Sequence, residues 1–157
     1  MQVHYSSNKQ DWGTPWDFFL KVFCIYDFKL DACASHENAK VLPFISKEQC
    51  SLKSQWGEGP VWCNPPIRKG ADKVYKKAAL ENAERGTTSV LLTPARPDTA
   101  VWQDVILREA DAVCFVRGRI KFEGAEFAAP FPCALVVFGE VKDLSSIGHV
   151  VILRGDE

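Results

Sequence analysis

Several things are missing from this 157-residue chain, and each absence removes a class of explanation. No apolar run approaches the 18 residues a membrane helix needs, and no basic, apolar, small-residue leader opens the sequence. A soluble, cytoplasmic protein without a membrane partner is expected. Six cysteines stand at 24, 33, 50, 63, 114 and 133, none of them in a CxxC pair, and the three histidines are not spaced with them as a zinc site requires. No metal is expected, and the thiols are expected to be free and mostly buried. Charge of one sign is lacking too: the formal net charge is −1, far from the basic excess of a DNA-coating protein. Local basic patches remain compatible with nucleic acid, because patches matter more than totals.

What is present reads as one globular domain, 1–157, with residues 1–11 loosely held. "WGTPWDFFLKVFCIYD" is predicted as a buried helix, with Thr14 at the N-cap and Pro15 in the first helical position. A short strand is expected to end near Asp31, and "PVWC" forms a second. A helix ending at Gly86 presents Val74, Tyr75, Ala78, Ala79 and Ala83 inward. "TTSVLLTPA" is a buried strand, and a helix capped by Asp98 or Thr99 follows. From 112 on, strands succeed one another without long helices, so antiparallel neighbours are expected there. Alternating strands and helices predict an α/β protein with a largely parallel sheet. Ligands of such sheets bind outside the carboxyl ends of the strands, where Asp31, Asn64, Pro94 and Arg117 are predicted to fall.

The most informative stretch is "VWCNPPIRKG". Two prolines remove two backbone donors and fix two φ angles, and Pro65 biases Asn64 to an extended conformation. A rigid surface turn is one explanation. The other is chemical. An exocyclic nucleobase amine is a poor nucleophile because its lone pair is delocalised into the ring. The Asn64 side-chain oxygen and the Pro65 carbonyl could accept its two N–H bonds and stabilise the charge that grows during methyl transfer. No Ser-His-Asp or Cys-His arrangement is needed for that step.

An ordered series of short pieces surrounds this motif: Trp12, Thr14 and Pro15; Phe28, Leu30 to Ala32 and Ala34; Asn38 to Lys40; Trp56 and Gly57; Cys63 to Pro66; Leu91 to Trp102; Gly118 to Phe122. Together, over residues 11 to 138, they resemble the phage and prophage DNA N-6-adenine methyltransferases. The resemblance implies a Rossmann-like methyltransferase sheet, S-adenosylmethionine as donor and adenine in double-stranded DNA as acceptor, in a bacterial host cell. Asn64, Pro65, Pro66 and Ile67 then correspond to the catalytic segment, and Trp12, Thr14, Pro15, Asp31, Ala32 and Cys63 to the donor site. Asp31 could meet either the methionine end or the ribose hydroxyls. Arg68, Lys69, Arg96, Arg119 and Lys121 are the expected DNA contacts, with fixing of the loop after its strand as the alternative role for Arg96.

Two departures stand out. No GxG follows Asp31, and Ile67 stands where the family usually has an aromatic ring to stack on the adenine. Phe122, Phe127 and Trp102 are candidates to cover the base instead, each with a core role as the alternative. Lys73, Lys76 and Lys77 read as a solvated helix face. Sequence specificity would have to come from loops 36–56 or 120–130, or from a second subunit in a homodimer. Alternative readings are a methyltransferase-fold module that binds donor or DNA without turnover, and an amino-methyltransferase acting on RNA or a protein glutamine.

Overall fold

The computed structural model describes residues 12–46, 49–67 and 69–155. Residues 1–11 and Arg68, both subjects of expectations above, lie outside the described residues. Six strands form one sheet in the order β1-β2-β3-β5-β4-β6. They are β1 (Leu30–Asp31), β2 (Val61–Cys63), β3 (Ser89–Pro94), β4 (Ala112–Val116), β5 (Cys133–Phe138) and β6 (Gly148–Ile152). β1–β2 and β2–β3 pair in parallel, whereas β3–β5, β5–β4 and β4–β6 are antiparallel. Since β3 and β4 both oppose β5, strands β1 to β4 all point one way. Their carboxyl ends therefore share one edge of the sheet.

Alternation of side chains across the pleat divides the core into two layers. On one face Trp62, Val90, Leu92, Cys114, Leu135 and Val137 pack with Phe19, Val22 and Tyr26 of helix α1 (Trp16–Tyr26). On the other face Val61, Cys63, Leu91, Val113, Val136 and Phe138 meet helix α2 (Asp72–Arg85) and helix α3 (100–109). β5 is buried along its whole length, which is why it reads as an unbroken apolar run rather than an alternation. Trp62 is held between Phe19 and Phe28, with ring centroids 5.1 and 5.5 Å away. Truncating a side chain so enclosed costs about 3–5 kcal/mol.

Several local expectations change. α1 begins at Trp16 with Pro15 as its N-cap, and no side chain caps it. A proline ring already fixes the φ that the cap position needs, which leaves the Thr14 hydroxyl for another partner. In α2, Val74, Tyr75 and Ala78 are buried, but Ala83 is exposed and Glu81 is fully buried. The Glu81 carboxylate accepts from the Trp56 amide at 2.7 Å and pairs with Lys77 and Arg85 at 3.2 and 2.5 Å, so three donors compensate its burial. Gly86 closes this helix as expected, at φ +71. The Thr99 hydroxyl donates back to the Arg96 carbonyl at 2.7 Å instead of capping α3. The middle turn of α3, Trp102–Ile106, is π-helical. Of the free cysteines, Cys63, Cys114 and Cys133 are buried, Cys33 and Cys50 are half-buried and Cys24 is exposed. No helix among the described residues is long and apolar enough to cross a membrane.

Candidate active site

Parallel pairing of β1 with β2 sets Asp31 beside Trp62, one residue before β2 ends, and Asn64 is the first residue beyond β2. Here Thr14 finds its role. The Asn64 amide nitrogen donates to the Thr14 hydroxyl at 3.1 Å and to the Trp12 carbonyl. Two acceptors hold that nitrogen, which determines which way the amide faces. Among the described residues nothing donates to Asn64 Oδ1.

A cavity of about 780 Å³ opens beside this amide. Trp12, Thr14, Asp31, Ala32, Asn64, Pro66 and Lys69 all line it. The turn after β1 lines it through Ala32 to Ser35, and that turn contains no glycine. Asp31 Oδ1 accepts from the Cys33 amide at 3.3 Å, and the Ser35 amide donates to Asn38 Oδ1 at 2.7 Å. These side-chain turns bend the chain where glycines bend nucleotide-binding loops.

Asp31 is the electrostatic centre of the cavity wall. It is only 2% exposed, and its second oxygen accepts from the Lys40 amide at 2.9 Å. Burial raises its pKa to about 7, against the two backbone N–H bonds and the nearby Lys40 charge, which hold it down. Cys63, by contrast, faces the core beside Val74, Tyr75 and Leu91, and burial pushes its thiol well up. Pro15, Pro65, Ile67, Arg96, Arg119 and Lys121 do not line the cavity. Pro65 is buried, and Ile67 is partly exposed directly beyond the motif.

The remaining candidates are distributed around the same sheet edge. Arg96 follows β3 and lies over the Phe131 ring, 4.9 Å from its centroid. Arg119 is exposed in the loop after β4 and donates to the Ala129 carbonyl at 3.3 Å. Lys121 is exposed as well. Lys76 and Lys77 pair with Asp72 and Glu81 on their own helix, while Lys73 reaches the cavity rim. Of the three aromatic candidates, Trp102 is core, stacked on Phe115 and bonded to the Pro94 carbonyl at 3.0 Å. Phe122 is buried against Trp12, and Phe127 is 75% exposed. Among the described residues no group of three or more His, Cys, Asp or Glu side chains gathers as a metal site would.

Two charged residues at this edge were not singled out as site residues in the sequence. Lys40 is buried and bonded to Glu123, which lies 83 positions further along the chain. Lys40 belongs to the Asn-Ala-Lys piece noted above. Nothing in the sequence around Glu123 marks it.

Fold and site together define an α/β domain with a cavity at the carboxyl edge of its sheet and an Asn-Pro-Pro turn at the cavity wall. Residues 3–146 match the family model for DNA N-6-adenine-methyltransferase (Dam). A DNA N-6-adenine-methyltransferase of Haemophilus phage HP1 is 32% identical over 119 residues, covering 74% of this chain and 68% of the phage protein. The chain belongs to the Dam family of DNA N-6-adenine methyltransferases.

Proposed function

We propose that this chain transfers a methyl group from S-adenosylmethionine to N6 of an adenine turned out of duplex DNA. The observation that carries the reading is the double hold on the Asn64 amide nitrogen, by the Trp12 carbonyl and the Thr14 hydroxyl, at the wall of a cavity of ligand size. With the nitrogen held, Oδ1 is the group left to accept from the substrate amine. The Pro65 carbonyl, stiffened by two successive prolines, offers the second acceptor. Both acceptors would stabilise the positive charge developing on N6, and neither needs to reorganise as it grows.

The cavity suits the donor in size and chemistry. Pockets of about 300–1,000 Å³ hold ligands of that class. Trp12, Ile45 and Val74 supply apolar wall, and Asp31 supplies a single buried acid among backbone amides. S-Adenosylmethionine supplies an electrophilic methyl group. Asp31 would hold a cationic or hydroxyl group of the donor, and Trp12 and Thr14 would bound the cavity while they orient Asn64. Arg119, Lys121 and Lys69 would meet phosphates, and Arg96 would support the loop after β3. Ile67 would pack on the adenine face, with the exposed Phe127 as the aromatic available to add stacking.

The test is transfer of a labelled methyl group to adenine-unmethylated duplex DNA, followed by digestion to nucleosides. Label on adenine N6, reduced about 10²–10³-fold by Asn64→Ala, is the expected result for removal of a preorganised charge-stabilising group. Donor binding without label would point to a binding module, and equal transfer by the Asn64→Ala protein would overturn the assigned role.

A further inference from the structure

We propose that Glu123 and Lys40 form a latch that positions Asn64; the inference rests on the catalytic reading of that residue. The Lys40 side chain is 2% exposed, and a buried ammonium must be paired and hydrogen-bonded. Its Nζ donates to Glu123 Oε1 at 2.8 Å and to the Asn38 carbonyl at 3.2 Å, and it lies 4.5 Å from the centroid of the Trp16 ring. This network brings one carboxylate of the loop after β4 over one point of the chain, Gly13.

Glu123 holds Gly13 twice. Its amide donates to the Gly13 carbonyl at 2.8 Å, and its side chain covers the Gly13 Cα so closely that a Cβ there would collide with the carboxylate. That Cβ would also stand 3.3 Å from both Cβ and Cδ of Glu123. A side chain at position 13 would therefore make the Glu123 carboxylate move from where it lies. Gly13 lies between the two residues that hold the Asn64 amide nitrogen, the Trp12 carbonyl and the Thr14 hydroxyl. Phe122, the neighbour of Glu123, packs edge-on against the Trp12 ring at 5.7 Å. The same loop therefore grips residues 12–13 through a ring contact, a backbone bond and a carboxylate clamp.

The consequence is specific. When the clamp opens, Trp12 and Thr14 lose their fixed spacing, and the Asn64 amide can turn its N–H groups toward the substrate amine. An amide presented that way cannot accept from N6. Lys40 also donates its backbone amide to Asp31, so its main chain and side chain contact two separate groups at one cavity. Lys40 and Glu123 are positioning residues; neither is assigned contact with the reacting atoms.

The full chain should be assayed as Glu123→Gln, Lys40→Met, Lys40→Arg and Gly13→Ala, with Asn64→Ala alongside. Glu123→Gln is expected to lower kcat about tenfold at temperatures where the variant is fully folded, with the KM for donor within about twofold, the signature of an interaction realised in the transition state; its melting midpoint falls as well, because the buried Lys40 ammonium loses its charged partner. Lys40→Arg should retain activity that Lys40→Met loses. Gly13→Ala combined with Glu123→Gly should be no slower than Glu123→Gly alone, because both act through one clamp. Loss of activity that follows only the melting midpoint, or multiplicative effects in that pair, would overturn the latch. An inactive Asn64→Ala beside a Glu123→Gln protein with parental kcat overturns the latch alone. A fully active Asn64→Ala overturns the catalytic reading and leaves the latch nothing to position.

Discussion

Replacing Asp31 by Asn should remove one pH-dependent contribution to stability, and the size of the change follows from the carboxyl's surroundings. Asp31 titrates near 7 in the fold, while an unperturbed aspartate titrates near 3.9. Burial is the largest cause, and the Lys40 and Cys33 amides with the Lys40 charge only partly oppose it. Below about pH 4 both folded and unfolded carboxyls are protonated, and the fold keeps its full stability. Between about 4 and 7 the unfolded chain ionises while the folded one retains its proton, so stability falls as pH rises. Above 7 both are ionised and the whole cost of a buried carboxylate is felt. Three units at 1.36 kcal/mol each make that cost about 4 kcal/mol. Asn has one side-chain acceptor for two backbone donors, so it loses a hydrogen bond and about 1–3 kcal/mol at every pH. Asp31→Asn should therefore be less stable than the parent at pH 4.5 and equal or more stable at pH 8. Urea unfolding of both proteins at half-unit pH steps measures the difference, in which all other titrations cancel. A difference that stays constant from pH 4 to 8, or moves the opposite way, would refute the argument.

Other consequences can be checked alongside. Glu81→Gln should cost about 1–3 kcal/mol in urea unfolding, since the Lys77 and Arg85 charges lose their buried partner while the Trp56 amide can still bond; methyl transfer under folded conditions should be unchanged. Arg119→Ala should leave the melting midpoint in place, raise the KM for DNA and reduce the slope of log affinity against log salt by about 1, as for one phosphate contact. An unchanged salt slope would return Arg119 to its bond with the Ala129 carbonyl. Ile67→Tyr should tighten binding of substrate DNA by up to about 1–3 kcal/mol through stacking, and no gain in KM or kcat would mean that the base does not meet this position.

How much of this could be read in the chain itself depends on the range of the interaction. Local signals held. The apolar run of β5, the helix stop at Gly86 and the strand ends at Asp31 and Cys63 follow from side-chain type and near neighbours. The Asn-Pro-Pro turn and the ordered pieces around it identified the family, because a stiff turn after a buried strand is encoded by adjacent residues. What stayed hidden depended on partners far along the chain. Thr14 reads as a helix cap, and only the fold shows that its hydroxyl serves Asn64, 50 positions away. Glu81 is not among the inward positions that helical periodicity picks out, yet the Trp56 amide and two cations enclose it. Cys63 belongs to a motif that borders the cavity, but strand alternation turns its side chain into the core. Lys40 and Glu123 meet across 83 positions, and no periodicity predicts such a pair. The sequence alone determined the chemistry on offer: an amide, a rigid carbonyl and an acid at strand ends. Tertiary structure decided which atoms of those groups are held and which are left to act, because a hydrogen bond is settled by distances of a few ångströms between residues the chain brings together only when it folds.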